Sequence, residues 1–399
     1  MASLPSIPDV FPPPADGAVD VLFIAGEHSG DEHAARVIAD LLRRNPRLRV
    51  AAFGGQEMRS AGAQLLFDMT GFSVVGLFEV LVHYGFYRKL FARVLDWIDR
   101  HRPRLICFVD YPGFNLRLAA SMKQTGMSRK GGGEISLCFY ISPQIWAWKA
   151  GRRFKMERTL DSVGAIFPFE VECYRDTKIP VRFVGHPFAD TGHTLSACYA
   201  KDAPVLLLPG SRPKAVRRIF PALLAAWRVF LEKRPAGQDA VVLHPGEPVL
   251  GVLRECLAHF PDLERNVRLV PHGGEQLAAS AVLTSSGTMS LDLALAGVPG
   301  AVVYLANPLT WFVGRRIVKG VSYLGIANIL LGRPAWPEYL QDAATPDALA
   351  ARLAACMDDP AVVRAAQDDA TELRAMLGGE IEGGTSAADW LLEWLPAGG

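Results

Sequence analysis

Val205-Leu206-Leu207-Leu208-Pro209-Gly210-Ser211-Arg212 is an apolar run that enters a turn of very small residues. Ala281-Val282-Leu283-Thr284-Ser285-Ser286-Gly287-Thr288-Met289 does the same further along. A strand that ends in Gly, Ser or Thr and then enters a helix exposes backbone N–H groups at the positive end of the helix dipole, where phosphate binds. Both stretches therefore read as strand–turn–helix units built to hold a phosphorylated ligand.

Working outward, Val205 to Leu208 is followed by a helical pattern through Phe220 to Phe230. The apolar runs Ala240 to His244, Val267 to Val270, Ala281 to Thr284 and Ala301 to Tyr304 come after it. Upstream, Val19 to Ala25 is a strand and Gly26-Glu27-His28-Ser29-Gly30-Asp31 a polar turn. A helix from about Glu32 to Arg44 then carries Ala35, Ile38, Ala39 and Leu42 at helical spacing. Strands Leu48 to Phe53, Gln64 to Phe67, Leu105 to Val109, Ile135 to Ile141, Ser162 to Ile166 and Val181 to Val184 continue the alternation, with a helix at Tyr87 to Arg100. This predicts an α/β protein made of two doubly wound, Rossmann-like domains that face a cleft. The expected divisions are a disordered proline-rich leader over 1–18, an N-terminal domain over 19–195 and a C-terminal domain over 200–360. Helices over 361–399 are expected to pack back on the N-terminal domain or on a partner chain.

The chain has 399 residues, half of them apolar, so each half can bury a core. Forty-two Lys and Arg against forty-one Asp and Glu leave a net charge of +1, which does not favour nucleic acid as a partner. Six scattered cysteines without a C-x-x-C pair suggest a reducing compartment, with neither a zinc site nor a disulfide framework. The histidines show no metal-ligand spacing, so neither a metal nor a cofactor is expected. The leader lacks the build of a signal peptide, which points to the cytoplasm. The apolar stretch Gly71 to Phe86, broken by Glu79 and His83, falls short of the roughly 20 residues a spanning helix needs.

In Pro209-Gly210-Ser211-Arg212 the backbone donors, a hydroxyl and a guanidinium fork suit phosphate oxygens, although an ordinary turn with a surface arginine would read the same way. Ser286, Gly287 and Thr288 precede a helix from Met289 to Ala296 that a hydroxyl can cap. Asp110, in Asp110-Tyr111-Pro112-Gly113-Phe114-Asn115, ends a strand where a carboxylate either accepts a proton from an attacking hydroxyl or rigidifies the turn. Glu27, His28, Ser29 and Asp31 form a polar cluster or a capping turn. Trp146 and Trp148 with Lys149, Arg152, Arg153, Lys155 and Arg158 suit a membrane interface, a phosphate-bearing headgroup or a solvated basic face.

Taken together, these segments resemble the lipid-A-disaccharide synthase family, glycosyltransferases of the GT-B architecture. The pieces that carry the resemblance run in order from Ala25-Gly26-Glu27-His28-Ser29-Gly30-Asp31 through Gly54-Gly55-Gln56-Glu57-Met58 and Val75-Gly76-Leu77-Phe78-Glu79 to Asp110-Tyr111-Pro112-Gly113-Phe114-Asn115. They continue with Tyr140-Ile141-Ser142-Pro143-Gln144-Ile145-Trp146, Phe167-Pro168-Phe169-Glu170, Gly185-His186-Pro187, Leu208-Pro209-Gly210-Ser211-Arg212, Ser286-Gly287-Thr288 and Asn328-Ile329-Leu330-Leu331-Gly332-Arg333.

The resemblance implies an inverting hexosyltransferase of lipid A and lipopolysaccharide biosynthesis. Such an enzyme moves 2,3-diacylglucosamine from its UDP conjugate to the 6-hydroxyl of 2,3-diacylglucosamine 1-phosphate and releases UDP. It implies Asp110 as the general base, Gly210, Ser211, Arg212, Ser286, Gly287, Thr288 and Asn328 on the UDP-sugar side, and Glu27 and Ser29 on the acceptor side. It also implies an acyl-binding or membrane-dipping role for Gly71 to Phe86, peripheral on the cytoplasmic face of the inner membrane. The aromatic C-terminal helix would allow a homodimer. The alternative within enzymes is another GT-B sugar-nucleotide enzyme, with a different acceptor or an epimerase activity. The Gly131-Gly132-Gly133 loop and the leader look like additions to the family pattern.

Overall fold

The computed structural model describes residues 6–70, 84–189, 193–234, 237–307, 322–378 and 386–396. The chain divides into two compact units, Met1–Pro187 with Gly379–Gly399, and Phe188–Gly378. The crossing at Pro187 lies before the expected boundary at 195–200, because β8 (Ala197–Tyr199) pairs with β12 (Leu277–Ala279) inside the second unit.

The first unit carries β1 (Val21–Ala25), α1 (His28–Arg44), β2 (Val50–Gly54), α2 (Gln56–Ser60), β3 (Gln64–Asp68) and α3 (Tyr84–His101). It continues with β4 (Leu105–Val109), α4 (Pro112–Gln124), β5 (Ser136–Tyr140), α5 (Arg152–Thr159), β6 (Ser162–Ala165), α6 (Pro168–Glu172) and β7 (Val181–Phe183). Its sheet has the order β3-β2-β1-β4-β5-β6-β7, with every pairing parallel. Each residue of β1, β2, β4 and β5 is buried. Helices cover both faces of a parallel sheet, so its inner strands appear in the sequence as continuous apolar runs and not as alternation.

The second unit adds β9 (Val205–Leu208), α7 (Pro213–Glu232), β10 (Ala240–His244), α8 (Val249–Leu257), β11 (Val267–Pro271) and β13 (Ala281–Ser285). After these come α9 (Thr288–Leu295), β14 (Gly300–Tyr304), α10 (Ile326–Leu331), β15 (Glu338–Leu340), α11 (Pro346–Asp358) and α12 (Pro360–Leu377). Its main sheet runs β11-β10-β9-β13-β14-β15, again parallel. Trp227, Phe220 and Phe230 of α7 are almost fully buried against it and anchor the core.

The strand order reverses between β1 and β4 in one sheet and between β9 and β13 in the other. Open α/β sheets take ligands beyond the carboxyl ends of the strands at such switch points. The loops beginning at Gly26 and Asp110 therefore emerge side by side in the first unit, and those beginning at Pro209 and Ser286 do so in the second.

The leader is not disordered over its described part. Phe11 is 3% exposed and packs edge-on to Phe53 with ring centroids 5.0 Å apart. The Trp97 indole N–H donates to the Pro12 carbonyl (2.9 Å), and the Gln64 side chain donates to the Pro13 carbonyl (2.8 Å) and accepts from Ala15 N–H (2.8 Å). Prolines lack the N–H that would demand a strand partner, yet their carbonyls accept, so a short apolar strap can lie on the core.

The C-terminal tail divides between the units. α12 packs on α9 and α10, whereas α13 (Ala387–Trp394) packs on α1, β5 and β6. Trp390 is fully buried and donates its indole N–H to Ser162 Oγ at 2.8 Å. A Cβ at Gly164 would come within 2.8 Å of the Trp390 ring, so this approach requires glycine. Trp390 and Leu391 are thus taken inside the chain and are not free for a second copy.

Candidate functional site

In the first unit α1 starts at His28, four positions before the expected start, because Glu27 is extended (φ −131°) and the polar turn becomes the first helical turn. Glu27 stands at the cap position but makes no side-chain capping bond, so its half-buried carboxylate is not spent there. Ser29 is exposed in that first turn. Asp31, which the sequence groups with them, is a structural residue. It is 1% exposed and accepts from the backbone N–H groups of Gly55 (2.8 Å), Glu57 (3.0 Å) and Met58 (3.2 Å), tying α1 to the start of α2.

The chain leaves β4 through two consecutive left-handed residues, Asp110 (φ 43°) and Tyr111 (φ 47°). For side chains larger than glycine this costs about 1–2 kcal/mol per residue. Hydrogen bonds on every side offset the strain. Asp110 N–H donates to the Tyr140 carbonyl (3.1 Å), and Asn115, fully buried in α4, donates its amide to the Asp110 carbonyl (2.8 Å). Tyr111 accepts from the N–H groups of Phe114 and Asn115 and stacks on Phe114. A Cβ at Gly26 would lie 2.4 Å from the Tyr111 ring, so the β1 and β4 loops touch only because position 26 lacks a side chain. Strain held by this much surrounding structure is characteristic of functional positions.

Burial, and after it the neighbouring Glu27 carboxylate, push Asp110 up to about 6, while the Tyr111 backbone and Arg152 pull part of the shift back. A carboxylate with this proton affinity is ionised near neutrality yet basic enough to take a hydroxyl proton. Arg152 opens α5, where burial weakens its hold on its proton and Asp110 strengthens it. The sequence places Arg152 only within a basic run, so its connection to Asp110 comes from the fold.

Removing the Glu27 charge provides a direct check. In Glu27→Gln the acid limb of the pH–rate profile should move to lower pH, because one cause of the raised proton affinity is gone. It should stay above the ordinary carboxylate range, since burial is the larger cause. An unmoved limb would show that the titrating group is not Asp110.

In the second unit Gly210 has φ +108°, and a Cβ there would sit 3.0 Å from Ser285 Oγ, so the two small-residue loops abut. Ser211 and Arg212 are exposed, and Pro213 begins α7, where its missing N–H costs nothing. Gly287 caps α9 in an extended conformation (φ −164°) without a side-chain hydrogen bond, contrary to the expected hydroxyl cap. The hydroxyl that acts in this turn is that of Ser290, which donates to the Gly287 carbonyl (2.6 Å), leaving Ser286 and Thr288 at the open mouth.

Asn328, which the resemblance implies on the UDP-sugar side, is held by internal hydrogen bonds. It is fully buried, its amide nitrogen donates to the Trp336 carbonyl (2.7 Å) and Glu338 Oε1 (2.9 Å), and its oxygen accepts from Trp336 N–H (2.8 Å). Glu338, which the sequence reading missed, accepts from the N–H groups of Leu324 and Gly325 (2.8 Å for the latter). Asn328 and Glu338 together fix the start of α10 against β15.

A family model described as LpxB, Lipid-A-disaccharide synthetase, matches residues 21–383. A Lipid-A-disaccharide synthase of Geobacter metallireducens is 34% identical over 378 residues, covering 90% of this chain and 93% of its own. One from Anaeromyxobacter dehalogenans strain 2CP-1 is 37% identical over 371 residues, with the same coverage of 90% and 93%. Among solved structures, the glycotransferase of kitacinnamycin superposes with a TM-score of 0.57 at 16% identity, covering 94% of this chain and 99% of its own. The UDP-GlcNAc 2-epimerase of Neisseria meningitidis, bound to UDP-GlcNAc, gives 0.56 at 11% identity, covering 94% and 98%. At such identities the likeness is one of fold.

Two Rossmann-like units of this build give the chain the GT-B architecture, which glycosyltransferases and sugar-nucleotide epimerases share. The coverage of family model and relatives is nearly complete. The chain belongs to the lipid-A-disaccharide synthetase family.

Proposed function

We propose that this chain joins two acylated glucosamines, taking 2,3-diacylglucosamine from its UDP conjugate and placing it on the 6-hydroxyl of 2,3-diacylglucosamine 1-phosphate. The observation that carries this reading is Asp110. In a chain of this family, a strained and braced carboxylate at a switch point, raised to about 6, is the group suited to accept the hydroxyl proton. As that proton passes to Asp110, the 6-oxygen bonds to the anomeric carbon from the face opposite the diphosphate, so an α linkage becomes β. The bond from that carbon to the diphosphate oxygen breaks, and its electron pair leaves with UDP. Arg212 and the backbone donors of the Pro209 and Ser286 loops neutralise the charge gathering on the departing diphosphate. Glu27 keeps Asp110 basic, and Ser29 offers a hydroxyl on the acceptor side.

Both substrates carry acyl chains, so the reaction belongs at a membrane surface, and we assign it to the cytoplasmic face of the inner membrane. No helix among the described residues is long and apolar enough to cross a bilayer, which suits a peripheral attachment. The apolar stretch Gly71 to Phe86 is the proposed contact; its residues 71–83 lie outside the described residues.

The test is the purified protein with UDP-2,3-diacylglucosamine and 2,3-diacylglucosamine 1-phosphate, with UDP and disaccharide both measured. Equal amounts of the two are expected. Conversion of UDP-GlcNAc without disaccharide would overturn the reading in favour of an epimerase.

A further inference from the structure

Four cations gather where α4 packs on α5. Arg117 comes from α4, and Arg152, Lys155 and Arg158 follow one another at intervals of three along one side of α5. None of the four has an ion pair among the described residues, because the acids nearby are engaged elsewhere. Asp176 pairs with Arg153 (2.6 Å), on the side of α5 that lines an apolar hollow with Ile145, Trp146, Phe169 and Cys173. Glu157 accepts from Lys178 N–H (2.7 Å), and Asp161 from Leu137 N–H (2.8 Å). Arg152 lies 5.0 Å from the Trp148 ring, a contact that orients the guanidinium without neutralising it. Burial and the charges of Arg117, Arg152 and Arg158 all weaken the hold of Lys155 on its proton. Arg152 feels the Asp110 carboxylate, whereas Arg117, Lys155 and Arg158 have no ion pair among the described residues, and such a self-repelling group is suited to an anion.

We propose that Arg117, Lys155 and Arg158, together with Arg152, which acts electrostatically on Asp110, form a phosphate-ester site for the anomeric phosphate of the acceptor. The assignment rests on the acceptor named above. That sugar bears its phosphate at the anomeric carbon and its attacking hydroxyl on carbon 6, across one ring. A cation cluster within electrostatic reach of the base is therefore suited to hold one end of the sugar while the other meets Asp110. The same chemistry would recognise the phosphate of a phospholipid headgroup, and the experiment separates the two sources.

The variants are Arg117→Gln and the double change Lys155→Gln with Arg158→Gln, assayed in detergent micelles free of phospholipid. Removing repelling charges from a helix surface leaves the fold intact. KM for 2,3-diacylglucosamine 1-phosphate should rise about 10- to 100-fold, as for lost charge-assisted hydrogen bonds, with KM for the UDP donor unchanged. Lys155→Arg should retain the wild-type value. Glucosamine 1-phosphate, a soluble probe, should bind the wild-type enzyme by calorimetry and lose that binding in the double variant. An unchanged acceptor KM together with weaker sedimentation on phosphatidylglycerol vesicles would assign the cluster to headgroups and overturn the proposal. Equal losses for donor and acceptor would overturn it as well. If the wild-type enzyme makes no disaccharide, the reaction assigned above falls. The calorimetric comparison still decides the cluster, since equal glucosamine 1-phosphate binding by wild type and variant overturns it and selective loss supports it.

Discussion

Asp110→Asn should lower turnover by about a thousandfold, within the range typical of a lost general base, while UDP binding stays at the wild-type level. The asparagine keeps the shape of the side chain and the backbone bonds to Tyr140 and Asn115, so the left-handed turn survives and only the proton acceptor is lost. Wild-type turnover should fall about tenfold per pH unit below about 6, where Asp110 takes up its proton, and the residual rate of the variant should lack that limb.

Stability should move the opposite way. The folded carboxyl holds its proton up to about 6, above the ordinary value of 3.8, so the folded state binds more protons than the unfolded one between those limits. Folding stability therefore falls as pH rises from about 4 to 6 and bears a constant penalty above that. The asparagine escapes the penalty, which is at most about 3 kcal/mol, the gap between 3.8 and about 6 taken at about 1.4 kcal/mol per pH unit. Its melting temperature should match the wild type at pH 4 and exceed it at pH 7. Full activity in Asp110→Asn would remove Asp110 from the base role, whatever happened to the melting temperature.

Arg212→Ala should raise the Kd for UDP and the KM for the donor about 10- to 100-fold, the usual value of a charge-assisted hydrogen bond to phosphate. The side chain is exposed, with no ion pair among the described residues, so the melting temperature should hold. Arg212→Lys should recover only part of the affinity, because an ammonium supplies charge without the planar fork. Undiminished UDP binding in the alanine variant would leave the two loops as ordinary strand-to-helix turns. The expected gap between the Asp110 and Arg212 variants, one losing turnover and the other affinity, reflects the separate tasks of the two switch points.

The central strands were legible because parallel strands covered on both faces need unbroken apolar runs, as in Val205 to Leu208. The three-residue strands β8, β12 and β15 were not, because such short pieces show no periodicity and owe their pairing to distant partners. Composition made the Pro12-Pro13-Pro14 strap look disordered. Its order comes from Trp97 and Gln64, which accept or donate to it from far along the chain. Asn328 has the right chemistry for a sugar-nucleotide contact, and only its burial between Trp336 and Glu338 shows that its hydrogen bonds are already made.

Residue type and local order alone determined the strand–turn–helix units, the small-residue loops and the place of Asp110 at the end of a strand. These depend on backbone freedom and on apolar runs that neighbours in sequence can encode. Tertiary structure decided which of those loops stand together, how strongly Asp110 holds its proton and which cations of α5 are left without partners. Such properties depend on burial and on charges from separate elements, Glu27 and Arg152 at Asp110, Arg117 at Lys155. No local stretch of sequence contains both members of any of these pairs.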